Sequence, residues 1–312
     1  MKPDQQIKLV YIAGYGRSGT TLLDIALGQH ESVFGAGEIT ALSRHVWDKD
    51  EYCACGASVR QCPLWSEVVQ RWLAGEDPDF LENYHRLQRS VESILSPRRA
   101  LWRLSHKAET SEYARGTSKL LKSLAAVAGR SVLVDSSKLP GRAFALAEAP
   151  GIELYVVHVV RDGRGVGWSM MKPFKRQVEK GLQKELKPKP LLYTALRWVV
   201  VNLAAELLCR KVGKHRCIRV RYEDFVSNPA ATLGSILSLV GGDIQPEQYR
   251  EDSPFRPEHQ VAGSRHRMEK EITLLKDERW QNEMPAQKRR TFGIPGGVLL
   301  RRYGYPTRVE QA

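Results

Sequence analysis

Within eight residues near the start of the chain lie three glycines, an arginine and three aliphatic hydroxyls: Gly14-Tyr15-Gly16-Arg17-Ser18-Gly19-Thr20-Thr21. Glycines admit the left-handed turns that aim successive backbone N–H groups at one point, and hydroxyls add further donors. Such a loop cradles phosphate. An apolar run precedes it and a helical pattern follows, so the helix N-terminus adds its positive dipole to the same anion. In a nucleoside-triphosphate loop, a lysine at the position of Thr20 reaches the β- and γ-phosphates. Here that lysine is absent and Arg17 sits inside the loop instead. The motif therefore predicts a phosphorylated nucleotide held without γ-phosphate chemistry.

Three further groups have types and positions suited to the same site. An apolar run ends at Val160, and Arg161-Asp162-Gly163 follows, with Ser169 on a short helix eight residues after Arg161. Arginine offers a permanently charged, bidentate clamp for phosphate oxygens. The alternative is an Arg161–Asp162 turn held by local ion pairs, which are weak and common. Another run ends in Asp135-Ser136-Ser137-Lys138, where Lys138 is placed to neutralise charge on a transferring group or to sit at the surface beside Asp135. Glu38, in Gly35-Ala36-Gly37-Glu38, lies twenty-one residues after Arg17. A carboxylate there can serve as general base if its surroundings raise its pKa, or simply as a cap. His30 is the alternative base, although its place at the end of the loop helix favours a packing role.

Together these segments resemble the PAPS-dependent sulfotransferases. GYGRSGTTLL is similar to that family's 5′-phosphosulfate loop, and VVRDGRGVGWS to its 3′-phosphate motif. The resemblance is looser at Val134-Asp135-Ser136-Ser137-Lys138, at Arg221-Tyr222-Glu223-Asp224 and at Gly263-Ser264-Arg265-His266-Arg267, which departs from the commoner Gly-Asn-Pro form. It implies 3′-phosphoadenosine 5′-phosphosulfate (PAPS) as sulfuryl donor and PAP as product, with no metal required. It implies donor contacts from Gly16, Arg17, Ser18, Gly19, Thr20, Thr21, Arg161, Ser169, Tyr222, Arg265 and Arg267. Glu38 occupies the place of the glutamate base in tyrosyl-protein and several bacterial carbohydrate sulfotransferases, and Arg17 and Lys138 become the charge-stabilising pair. The implied reaction is direct in-line transfer to a hydroxyl of a carbohydrate, lipid or small natural product.

Two other readings compete. A P-loop kinase would use Asp135 for magnesium, and the missing lysine argues against it. A non-catalytic binder of acidic glycan or nucleic acid would rely on the basic face, and no nucleic-acid recognition motif is present.

The five cysteines exclude a fully paired disulfide framework. Cys53-x-Cys55-Gly56-x5-Cys62-Pro63 has metal-like spacing but three thiols, one short of the four ligands zinc takes. His45 or a distant residue is needed to complete such a set. A Cys55–Cys62 disulfide is disfavoured in the cytosol. Similar stretches in bacterial members of the family imply a structural cluster, and no metal is expected.

The elements that must position these groups follow from periodicity. Apolar runs at Lys8–Ala13, Ser131–Asp135, Leu154–Val160 and Cys217–Tyr222 alternate with helical patterns, which predicts an α/β, P-loop-like three-layer fold: a central parallel sheet flanked by helices. Ligands bind beyond the carboxyl ends of such strands, so GYGRSGTT, DSSK and RDGR should converge. The chain reads as a single domain, 1–312, with a helical insertion at about 63–127. Met171–Pro190 reads as a mobile basic segment, Asp252–Arg267 as irregular, and Glu269–Arg279 as a charged helix. The net charge of +13 suits an acidic acceptor, and charge alone does not separate nucleotide, glycan and lipid partners. No secretory signal or membrane span is expected, since Leu191–Cys209 is interrupted by Arg197, Asn202 and Glu206. The expected location is cytoplasmic, with peripheral membrane contact left open and oligomeric state unassigned.

Overall fold

The computed structural model describes residues 6–92, 106–173, 177, 185, 187–241 and 254–306. Five parallel strands, β1 (Ile7–Gly14), β2 (Val33–Gly35), β3 (Val132–Lys138), β4 (Ile152–Val160) and β5 (Cys217–Arg221), form one sheet in the order β2-β3-β1-β4-β5. Four of the strands correspond to the apolar runs in the sequence. The fifth, β2, has three residues and is too short to show a period.

Alternation along β1 divides the core into two layers. Ile7, Leu9, Tyr11 and Ala13 face one apolar cluster, and Val10 and Ile12 face the other. The second cluster is closed by α1 (Thr20–Leu27), through Leu23, Ala26 and Leu27, and by a later helix, Pro229–Val240. The first is closed by the inserted helices α2 (Pro63–Leu73), α3 (Phe80–Val91) and α4 (Lys107–Ala128), whose Trp65, Trp72, Tyr84 and Tyr113 pack on it. Each such large side chain contributes roughly 1.5–3 kcal/mol by leaving water.

α5 (Pro140–Leu146) and α6 (Gly163–Met170) each begin at the end of a strand, and α7 (Leu191–Val212) lies along β4. By length and composition α7 is apolar enough to cross a membrane. In the fold it buries Trp198, Val201, Ala205 and Leu208, and two of its polar residues, Asn202 and Glu206, have partners. Asn202 bonds His158 Nε2 at 2.9 Å, and Glu206 accepts from Arg302 and Tyr303. Leu192, Leu196, Leu203 and Leu207 stay exposed on its outer side. A disulfide joins Cys209, near the end of α7, to Cys217 at the start of β5, using the two cysteines outside the cluster.

The chain continues through α8 (Tyr222–Ser227), α9 (Pro229–Val240) and α10 (Ala286–Arg302). The charged helix expected at Glu269–Arg279 does not form. Ile272 instead pairs its backbone with Phe255, and the carbonyls of Leu275 and Asp277 accept from Tyr222 and Arg161, so tertiary hydrogen bonds replace helical ones. Most of Met171–Pro190 lies outside the described residues.

Beneath the sheet's carboxyl end, the fully buried Arg142 ties the layers together. Its Nε donates to Asp135 Oδ2 at 2.9 Å, and its Nη1 donates to Tyr113 at 2.8 Å and to Glu92 at 3.3 Å. Arg44 meets the other Glu92 oxygen at 2.6 Å. Two arginines thus balance two buried carboxylates.

Candidate active site

The phosphate loop is built as its sequence requires. Gly19 has φ 80°, and a Cβ there would lie 2.4 Å from the Tyr222 ring, so both conformation and contact call for glycine. Arg17 also adopts positive φ, at 69°, a conformation that costs an ordinary residue roughly 1–2 kcal/mol. Lys138 does the same at 66°. Two of the three expected catalytic side chains therefore sit on strained backbone, which persists where surrounding structure enforces it and clusters at functional sites.

The loop is a fitting anion cradle. Ser18 and Ser264 have buried hydroxyls with no protein partner, and Ser264 N donates to Thr21 Oγ1, in the first turn of α1, at 3.3 Å. Burial lowers the Arg17 pKa, and the charges of Arg265 and Arg161 lower it further. Three mutually repelling guanidinium groups around one loop are the complement of a polyanion.

Arg161 leaves the end of β4 and crosses to this loop. Its Nη1 donates to the Arg17 carbonyl at 3.0 Å, its Nη2 donates to the Asp277 carbonyl at 2.9 Å, and the guanidinium stacks 4.5 Å from the Tyr222 ring centre. Burial opposes ionisation of Asp277, yet Arg279 and Arg161 outweigh it and hold the carboxyl below its ordinary range. The simple Arg161–Asp162 ion pair does not form. Asp162 instead caps α6 by accepting from Arg164 N at 2.9 Å and pairs with the Arg164 side chain at 2.6 Å. Glu223 supports the turn from below, accepting from Asp162 N at 3.1 Å. Ser169 is half-buried near the far end of α6, about 9 Å along the axis from Gly163.

Glu38 and Lys138 come from different strand ends and meet, Oε1 to Nζ, at 2.5 Å. Glu38 is held from both sides. Its N–H donates to the Val261 carbonyl at 2.8 Å, and Gly37 N donates to Asp24 Oδ2 at 3.0 Å. Gly37 has φ 78°, and a Cβ would lie 2.4 Å from the Val261 oxygen, so glycine permits this close backbone pairing. Asp24, on α1, is fully buried, and desolvation raises its pKa to about 8 despite the Gly37 hydrogen bond. His30 is buried in the turn just after that helix, with Ser32 N donating to its Nδ1 at 3.1 Å.

A cavity of about 690 Å³ opens over these groups. Tyr15 and Gly16 from the phosphate loop, Glu38 and Lys138 line it, joined by Arg44, His85, Arg89, Glu92 and Arg197. None of these last five carries a sequence signal, because Arg44 comes from a short helical turn, Leu42–Val46, and the others from the helical insertion and α7, whose registers only packing reveals. Arg265 is exposed beside the phosphate loop. Arg267 is fully buried and donates to the Tyr52 carbonyl at 2.8 Å, so its visible work is structural.

A family model described as the sulfotransferase family matches residues 10–246, a span that holds the phosphate loop, Glu38, Lys138 and Arg161. The chain belongs to the sulfotransferase family. Among solved structures, it is similar to the sulfotransferase domain from the curacin biosynthetic pathway, with 13% identity, 97% of this chain and 98% of that chain covered, and a TM-score of 0.50. It also matches the sulfotransferase domain of the Synechococcus PCC 7002 olefin synthase, at 18% identity, 98% coverage of both chains and TM-score 0.45. A sulfotransferase from Mycobacterium avium matches at 14% identity, covering 97% of this chain and 78% of its own, with TM-score 0.47. No curated protein matches the chain. The kinase reading falls away, since the sulfotransferase commits both oxygens of Asp135 to Arg142 and to Ser137.

Proposed function

We propose that this sulfotransferase moves the sulfuryl group of PAPS directly to a hydroxyl of an acidic acceptor bound in the cavity above Glu38. The observation that carries the reading is the Glu38–Lys138 pair, 2.5 Å apart, lining the same cavity as Tyr15 and Gly16 of the phosphate loop. As the acceptor oxygen bonds to sulfur, its proton passes to Glu38. The sulfur–oxygen bond to the 5′-phosphate breaks, and Arg17 and Lys138 neutralise the charge that develops on the bridging oxygen. The transfer so written requires no metal. Gly16 to Thr21 hold the 5′-phosphate. Arg161, Ser169 and Arg265 take the 3′-phosphate, and Tyr222 the adenosine. Arg267 is left to support the loop.

Four cationic side chains, Arg44, Arg89, Lys138 and Arg197, line the cavity against two carboxylates, Glu38 and Glu92. This excess favours an acceptor that already carries negative charge, whether carbohydrate, lipid or small natural product. The inserted helices share the apolar cluster of β1, which supports one folding unit rather than two.

The test is transfer from labelled PAPS to a panel of sulfated, phosphorylated and neutral hydroxyl compounds, with PAP affinity measured by calorimetry. Glu38→Gln should lower kcat by roughly 10²–10⁴ while leaving PAP binding intact. Arg161→Ala should weaken PAP binding. Wild-type protein that does not bind PAP would overturn the donor, and full transfer by Glu38→Gln would overturn the base.

A further inference from the structure

The cysteine cluster plays no part in sulfuryl transfer, yet the fold completes it. Cys53, Cys55 and Cys62 gather on one turn-rich segment, and the missing fourth ligand arrives from far along the chain as His259. Among the described residues these four side chains form one group, with all ligand atoms within 4.8 Å of one another. His45, the nearer candidate in sequence, is instead paired with Glu51 at 3.0 Å.

The distances distinguish a metal site from a disulfide. A tetrahedron with Zn–S of about 2.3 Å and Zn–N of about 2.0–2.1 Å has S···S edges near 3.8 Å and S···N edges near 3.5 Å. Cys62 Sγ lies 3.7 Å from Cys53 Sγ and 3.8 Å from Cys55 Sγ. His259 Nδ1 lies 3.3 Å from Cys62 Sγ and 3.7 Å from Cys53 Sγ. A disulfide would bring one pair to about 2.05 Å and leave the third thiol aside. Here one sulfur is equally distant from two others, while Cys209 and Cys217 in the same molecule are bonded.

The surroundings match a structural site. The His259 carbonyl accepts from Trp65 Nε1 at 2.6 Å, which fixes the backbone that presents the imidazole. Three thiolates and one Zn²⁺ leave a net negative charge, and the buried Arg267 guanidinium is held beside the cluster by donating to the carbonyl of Tyr52, the residue before Cys53, at 2.8 Å. We propose that Cys53, Cys55, Cys62 and His259 bind a structural zinc ion that staples residues 53–62 to residues 259–268. The staple has a consequence for the active site. Two residues past His259, Val261 accepts from Glu38 N at 2.8 Å and donates to the Ala36 carbonyl at 3.0 Å. The ion thus anchors from behind the segment that holds the base.

Elemental analysis of protein purified without chelator should find one zinc ion per chain. Replacement by cobalt should give the intense visible bands of a tetrahedral, thiolate-rich site. His259→Cys should retain the metal as a four-thiolate site, Cys55→Ser, at the exposed ligand, should weaken its retention, and chelation should lower the thermal midpoint. Wild-type protein that takes up no zinc after reduction and zinc addition would overturn the proposal. So would a Cys55–Cys62 disulfide found by thiol trapping and mass spectrometry, or unchanged zinc content in the double variant Cys53→Ser/Cys62→Ser. The metal readouts on wild-type protein do not depend on donor, acceptor or variant folding.

Discussion

Asp24→Asn should make the protein more stable in alkaline solution and flatten its dependence on pH. Asp24 is fully buried on α1 and has a pKa of about 8, against the ordinary carboxyl value near 4. Its pKa is raised, so between these values the folded chain holds a proton that the unfolded chain has released. The stabilising contribution of the protonated form is complete below pH ~4 and is lost as pH rises through ~8, with a slope of about −1.4 kcal/mol per pH unit from this one group. Across the window the loss is on the order of 5 kcal/mol, a large share of a typical stability of roughly 5–15 kcal/mol. Asparagine keeps an oxygen to accept from Gly37 N, bonded at 3.0 Å in the parent, and replaces the acid proton with an amide donor. The assay is urea unfolding of both proteins from pH 5 to 9, read as the difference between them so that shared titrations cancel. The variant should gain on the wild type as pH rises to about 8, and the difference should level off above it. Parallel profiles would refute the assignment of a neutral Asp24 in the folded state. Transfer activity at pH 7 provides a second reading. It should survive in Asp24→Asn and fall in Asp24→Ala, which leaves Gly37 N without its partner beside Glu38.

Two further expectations concern the scaffold and the loop. Arg142→Met would strand Asp135 in the core and leave Glu92 paired with Arg44 alone, and should cost about 3–5 kcal/mol in urea unfolding, with part of the loss recovered when Glu92→Gln is added. A cost below about 1 kcal/mol would show that the network is not energetically coupled. Gly19→Ala would place a methyl 2.4 Å from the Tyr222 ring, on which Arg161 stacks, and should weaken PAP binding at least tenfold by calorimetry, or about 1.4 kcal/mol. Unchanged affinity would remove this loop from the binding site.

Much of the site is legible in the sequence because its chemistry is local. The glycine spacing at residues 14–19 can be read without a fold, since φ > 0 turns and backbone donors are properties of a short segment. Strand ends are equally legible, because apolar runs terminate abruptly at Lys138 and Arg161, and a parallel sheet carries such ends to one edge. What tertiary structure alone decided is everything that depends on register between distant segments. Nothing in the sequence predicts that Arg44, His85 and Arg197 share a cavity with Glu38, because each lies on a helix whose rotation is fixed by packing. Residues 269–279 have the composition of a helix, yet long-range bonds to Tyr222 and Arg161 outweigh that local preference. Arg267 reads as a donor ligand from its motif and is buried against Tyr52 instead. The clearest case is the cysteine cluster, where the sequence supplies three ligands close together and only the folded chain brings His259 across 197 residues to meet Cys62. Local spacing determines which chemistry a segment can do, and the packing of distant segments determines which groups do it together.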